Sequence, residues 1–145
     1  GLGDVYKRQV LGQGRKKQNK ITRATSHAKS FIGTPYRYGG NSRDGIDCSS
    51  LIQKSYAKIG IKLPRTAQEQ AKVGNKKGKG SVRPGDIVYF EFKQKREKWW
   101  HTGMVTYAEK GTIKFVHASS SRGVVEDTYN DYYKKHTKYF RRVIK

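Results

Sequence analysis

The stretch Arg83-Pro84-Gly85-Asp86-Ile87-Val88-Tyr89-Phe90-Glu91-Phe92 divides the chain, because apolar residues are spaced differently on its two sides. Before it they recur at helical intervals; from Ile87 onward they form short runs rich in β-branched and aromatic residues. Pro84-Gly85 is a turn signal, so Ile87 to Phe92 reads as a strand. Further strands are predicted at Gly103 to Ala108, Thr112 to Ala118, Val124-Val125 and Tyr139 to Ile144. Helices first and strands second predict an α+β domain, with N-terminal helices packed on an antiparallel β-sheet.

Working back from the divide, Cys48, Leu51, Ile52, Tyr56 and Ile59 lie at helical spacing, with Asp47 as N-cap and Gly60 as stop. A second short helix follows Pro64, where Thr66 and Glu69 have capping-box spacing, and ends by Gly74. A third is predicted from Ala24 to Ile32, closed by Gly33 and Pro35. Tyr36 to Asn41 reads as a turn-rich loop, and Asn75 to Gly80 as a basic, glycine-rich one.

The 145 residues suit one domain with one core. Residues 1–22 read as a disordered basic leader or linker, of which 1–9 resemble non-native, adapter-derived sequence, and residues 23–145 form the domain. Lys and Arg number 32 against 11 acidic residues, a formal +21. Lys7, Arg8, Arg15, Lys16, Lys17, Lys20 and Arg23 face only Asp4 at the N-terminus, which leaves +15 on the remainder. Such charge points to an anionic partner, with nucleic acid, acidic membrane and wall polymer all open. The 10 tyrosines are organised by no RNA-binding or helix-turn-helix signature, so no specific nucleic acid is expected. No run of about 18 apolar residues predicts a membrane-spanning helix.

One cysteine, Cys48, excludes an intrachain disulfide and any CxxC motif. At a helix N-terminus its thiolate is favoured by unpaired N–H groups and the helix dipole, and the same groups suit an oxyanion. On position alone Cys48 is equally the first core residue of its helix. His101 begins one predicted strand and His117 ends the next, so a hairpin centred on Glu109 makes the two imidazoles neighbours. A slip of one residue puts them on opposite faces unless a bulge compensates. In the paired arrangement His101 takes the Cys48 proton and His117 orients His101. Two bland alternatives stand beside this: satisfied strand histidines, or a Cys/His/His zinc site, although no close-spaced ligand pair supports the latter. His27 and His136 read as surface residues, and neither metal nor cofactor is expected.

Six segments, taken in order, resemble the NlpC/P60 peptidase family: Gly33-Thr34-Pro35-Tyr36-Arg37-Tyr38-Gly39-Gly40, Asp47-Cys48-Ser49-Ser50-Leu51, Leu63-Pro64-Arg65-Thr66, Arg83 to Phe90, His101-Thr102-Gly103-Met104-Val105 and Val116-His117-Ala118-Ser119. The resemblance implies a papain-like α+β fold and thiol hydrolysis of peptide bonds in peptidoglycan stems or cross-links, with Cys48, His101 and His117 catalytic. It assigns Tyr38 to the oxyanion and Asp47 and Ser49 to contact with the stem peptide. Ser50 and Thr102 depart from the commoner pattern without removing a catalytic group.

The segment from His117 to Val124, with Tyr132-Tyr133-Lys134-Lys135 and Arg141-Arg142-Val143-Ile144, is similar to the outer-membrane lipoprotein murein endopeptidases of Gram-negative bacteria. That branch implies export to the periplasm or outer membrane, with any lipid anchor on residues before Gly1. Peptidoglycan is then the partner, and the domain is expected to act as a monomer. Two other functions compete: an amidase or acyltransferase using the same thiol, and a non-catalytic basic wall-binding module in which Cys48 is core filler.

Overall fold

The computed structural model describes the backbone of residues 2–145 and the side chains of residue 12 and residues 14–145. Gly1 and the side chains of the segment 1–9 lie outside the described residues. Helix α1, Leu2–Lys29, presents Ile21, Ala24 and Ala28 as one stripe, continued past its end by Phe31. Ala24 and Ala28 are fully buried. The sequence reading set residues 1–22 apart as disordered and began the helix at Ala24. In the structure α1 is continuous helix through that boundary, because the buried stripe anchors it and Arg15, Lys16, Lys17, Gln18 and Lys20 are good helix formers.

Strands β1, Asn41–Ser42, and β2, Gly45–Ile46, form a small hairpin that delivers the chain to Asp47. Helix α2, Cys48–Ala57, starts where predicted: Asp47 is extended and its carboxylate accepts the Ser50 N–H at 2.8 Å. Helix α3, Ala67–Gln70, is capped by Thr66, whose hydroxyl accepts the Glu69 N–H at 3.3 Å. The next segment departs from expectation. Asn75–Lys77, read as loop, is strand β3, an edge strand paired with the last strand of the chain.

After the Pro84-Gly85 turn come β4, Ile87–Gln94; β5, Glu97–Glu109; β6, Thr112–Ser119; and β7, Gly123–Thr128. Helix α4, Asp131–His136, which the sequence reading lacked, leads into β8, Thr137–Arg142. The sheet order is β3-β8-β4-β5-β6-β7 and every neighbouring pair is antiparallel.

Alternation along the strands gives the sheet two apolar faces. Ile87, Tyr89, Met104, Val116 and Ala118 join Leu51, Ile52 and Tyr56 of α2 and the α1 stripe in one cluster. Val88, Phe90, Val105, Ile113 and Phe115 form a second cluster on the opposite face, with Tyr129 and Tyr133 packed against it. The Tyr56 hydroxyl donates to the Gly85 carbonyl, tying α2 to the turn that precedes the sheet.

Asp86, only 2% exposed, is held by Arg142 Nε and Nη2, each at 2.9 Å, which fixes β8 beside β4. Replacing Arg142 with Met leaves a buried carboxylate without its cation, so unfolding free energy measured in urea should fall by about 3 kcal/mol. Asp86→Asn in the same chain should restore part of that loss, and a change below about 1 kcal/mol for Arg142→Met alone would assign the pair no more than a surface role.

Candidate active site

The β5–β6 hairpin turns at Lys110 and Gly111, both at positive φ (52° and 79°), so Glu109 faces Thr112 and Tyr107 faces Lys114. The turn is therefore displaced from the centre at Glu109 that the sequence suggested. Carried on unchanged, this register sets His117 across from Met104 and leaves His101 on the other face. A bulge between Val105 and Tyr107 shifts the pairing, so that Val105 faces Phe115 and Met104 faces Val116. His117 then lies across from Gly103, and His101, two residues along, shares its face.

Gly103 makes the diagonal contact possible. A Cβ there would stand 2.8 Å from the Phe115 ring and 3.2 Å from the His117 Cβ, so this position has no room for a side chain. Across the gap, His101 Nε2 lies 2.8 Å from His117 Nδ1. His117 Nε2 in turn lies 2.7 Å from Asp127 Oδ2 on β7, again a diagonal step, since Val125 is the residue directly opposite His117. Phe90 stacks on His101 and Phe115 lies against His117, which leaves both rings few alternative orientations.

Cys48 and His101 line one cavity of about 330 Å³, together with Tyr36, His117, Trp99, Trp100 and Tyr132. Cys48 opens α2, and the backbone N–H groups of Thr102, Ser49 and Cys48 favour its thiolate. These donors do lower its pKa, as the helix N-terminus predicts. Burial, with help from the Asp47 charge, overrides them and pushes the thiol up to about 11. Burial likewise brings His101 down to about 3, with His117 adding to the shift. At rest the pair is thus thiol and neutral imidazole over the whole neutral range.

The NlpC/P60 family model matches residues 33–142. The chain belongs to the NlpC/P60 family. It is 36% identical over 114 residues to the murein DD-endopeptidase MepS/murein LD-carboxypeptidase of Escherichia coli (strain K12), covering 77% of this chain and 57% of that protein. To the probable endopeptidase NlpC of the same strain it is 34% identical over 106 residues, covering 72% of this chain and 66% of that one. An NlpC/P60 family protein from Bacillus cereus ATCC 10987 superposes with a TM-score of 0.74 at 26% identity, over 86% of this chain and 40% of the other. The chain therefore spans little more than half the length of MepS.

Within this NlpC/P60 domain, three residues named by the family resemblance lie outside the cavity lining. Tyr38 is 92% exposed and is absent from the cavity lining, because the turn at Gly39 (φ 72°) carries it outward. Tyr36 takes the inner position, since its bridge to Ile46 brings it beside Asp47 and Cys48. Asp47 and Ser49 are buried and line no part of the cavity. Arg65 binds the Asp47 carboxylate at 3.1 and 2.8 Å and the Ser49 hydroxyl at 2.8 Å, so both act here to fix the start of α2.

Asp127, Arg122 and Tyr133, which converge behind His117, received no role from sequence reasoning. Only the alternation along β7 hinted that Asp127 shares a face with Val125. Both His117 nitrogens are engaged, so the Cys/His/His zinc arrangement has no open donor there. His136 packs against Phe92 and Tyr132 at the outer cavity wall, and His27 packs against Phe31 on α1.

A thiol raised to about 11 is deprotonated in proportion to pH throughout the range below that value. Alkylation of Cys48 by iodoacetamide in the substrate-free protein should therefore accelerate about tenfold per unit between pH 6 and 10. A plateau reached by pH 7 would show a resident thiolate and contradict the dominance of burial.

Proposed function

We propose that this domain is a peptidoglycan endopeptidase that cleaves peptide bonds of murein stems or cross-links through a thioester on Cys48. The observation that carries the reading is the one cavity that the thiol at the start of α2 and a hydrogen-bonded pair of histidines both line. Family membership and a relative named as a murein DD-endopeptidase support the substrate class.

In the proposed cycle His101 Nδ1 accepts the Cys48 proton as the sulfur attacks the scissile carbonyl carbon. Concerted transfer suits the raised thiol pKa and lowered imidazole pKa, since neither ion is stable in the buried site before substrate arrives. The carbonyl oxygen, now anionic, is received by N–H groups at the start of α2 and by the Tyr36 hydroxyl. His101 returns its proton to the departing amine, leaving an acyl thioester. A water molecule, giving its proton to His101, then attacks that thioester, and collapse of the adduct frees the peptide carboxylate and the Cys48 thiol. His117 keeps the His101 ring in place through the 2.8 Å bond.

The aromatic residues Trp99, Trp100 and Tyr132 line the cavity, and Arg122 adds a cation to the lining. The +15 of residues 25–145 complements a polymer rich in carboxylates. Action on murein calls for a location in the cell envelope, and the reading extends to the periplasmic or outer-membrane side and to a domain that works as a monomer. Among the described residues no helix is long and apolar enough to cross a membrane.

Purified sacculi incubated with the protein should release new muropeptides, identified by mass, and Cys48→Ala should release none while keeping its circular dichroism. His101→Ala should be as inactive as Cys48→Ala, whereas His117→Asn should retain measurable turnover. Release of acylated lipid or modified protein with intact sacculi would overturn the substrate assignment in favour of amidase or acyltransferase chemistry.

The two tyrosines give a separate contrast. Tyr36→Phe should lower kcat by an amount comparable to loss of one oxyanion donor, about 2–4 kcal/mol, while Tyr38→Phe should leave it unchanged. Equal effects of the two substitutions on kcat would remove Tyr36 from the oxyanion site.

A further inference from the structure

We propose that Asp127, held in place by Arg122 and Tyr133, is a positioning residue that selects the tautomer of His117 and, through it, the tautomer of His101. The inference rests on the assignment of Cys48 and His101 as nucleophile and base. It concerns which nitrogen of each ring carries its proton.

Asp127 is surrounded by donors. Arg122 gives two hydrogen bonds, Nη1 to Oδ1 at 2.9 Å and Nη2 to Oδ2 at 2.7 Å. The Tyr133 hydroxyl reaches Oδ2 at 2.7 Å, and so does His117 Nε2. The guanidinium holds the carboxyl well below the usual carboxylate range, with His117 and Tyr133 adding to the effect against burial. Tyr133, pushed up to about 12 chiefly by burial, keeps its proton and remains a donor. An ionised carboxylate can only accept, so the nitrogen of His117 that faces it must carry hydrogen.

His117 is 3% exposed, and burial lowers its pKa despite the opposing pull of Asp127. Its neutral ring has one N–H, which Asp127 draws to Nε2. Nδ1 is then a bare acceptor, and the 2.8 Å contact is a bond donated by His101 Nε2. His101 is also neutral, so its single proton is spent on that bond and its Nδ1 is left with a free lone pair for the Cys48 proton. The alternative ordering reverses each step. With its proton on Nδ1, His117 would turn a lone pair on Nε2 toward a carboxylate oxygen 2.7 Å away. It would also force His101 to carry hydrogen on Nδ1, where the base must be empty. One carboxylate therefore sets the readiness of a base two hydrogen bonds away.

Arg122 has a reason to be in this arrangement beyond charge. Its fork fits both carboxylate oxygens at once, which fixes the plane of the Asp127 carboxylate and so the direction in which Oδ2 meets His117. Tyr133 packs edge-on against Phe115 and His117, so α4 supplies both a donor and a wall.

The test uses the full chain with nitrogen-labelled histidine, with imidazole spectra recorded at neutral pH in the Cys48→Ala protein with and without Asp127→Ala. The expected result is one tautomer in the parent, with both protons on Nε2, and a mixture at His117 and His101 once Asp127 is Ala. In the Cys48-containing protein, Asp127→Ala should lower kcat on a purified muropeptide dimer by roughly 10- to 100-fold with KM within about twofold, a smaller loss than removing a triad member. Asp127→Asn, which keeps an acceptor oxygen and the side-chain shape, should recover part of kcat and hold the parent tautomer. Parent spectra with a proton on His101 Nδ1 would overturn the proposal, and so would tautomers indifferent to Asp127→Ala or a loss confined to KM. Should the Ala variant fail to fold, the parent and Asn spectra decide alone. Intact sacculi and muropeptides with the wild-type chain would remove the endopeptidase reading, yet the imidazole spectra would still judge the role of Asp127.

Discussion

The register of β5 against β6 is the constraint on which the site depends. Between the Lys110-Gly111 turn and Gly103, β5 carries one residue more than β6, and that residue is absorbed as a bulge at Thr106. A strand pair has a strict period of two, so this single insertion decides whether His101 and His117 share a face or are separated by the sheet. The same parity governs the next step, where β6 and β7 run in register and Asp127 reaches His117 from two residues beyond its direct partner. The three side chains lie on a diagonal over three strands, and every other feature of the site is arranged around that line.

The two faces of the sheet carry different parts of the chemistry. Helix α2 packs with the first cluster, and Asp47, Arg65, Gln70 and Tyr56 fix where its first residue stands. The histidines belong to the second face, among Phe90, Phe115 and Tyr133. This arrangement separates placement of the Cys48 thiol from orientation of the two imidazoles. It also explains the balance of effects on Cys48, since a sulfur enclosed between an apolar helix packing and the β5 backbone loses more from the exclusion of water than it gains from three N–H groups.

Much of this was legible in the order of the residues. The change of period at Pro84-Gly85 gave the α+β class, and the caps Asp47 and Thr66 gave the starts of α2 and α3 because each acts within four residues of itself. Six ordered motifs placed Cys48, His101 and His117 together. What escaped were features that depend on partners distant in the chain. Asn75–Lys77 is polar and becomes a strand only because β8 offers it an edge, and Asp127 acquires meaning only when β7 is laid against β6. Tyr36 and Tyr38 are indistinguishable by type, and a turn at Gly39 decides between them. Helix α1 runs through residues 14–22 because Ile21 packs against the core and Ala24 and Ala28 just beyond are buried, a cooperative effect that composition alone does not report.

The enclosure of Cys48 has a chemical corollary for the lifetime of the protein. Peroxide and disulfides react with thiolate, and a thiol that burial pushes up to about 11 offers them little at neutral pH. As the single cysteine of the chain it has no internal partner to rescue it by exchange once it reaches sulfenic acid, and further oxidation would be permanent. Reserve at rest is thus a form of preservation: the burial that keeps the Cys48 sulfur protonated also guards it against oxidants.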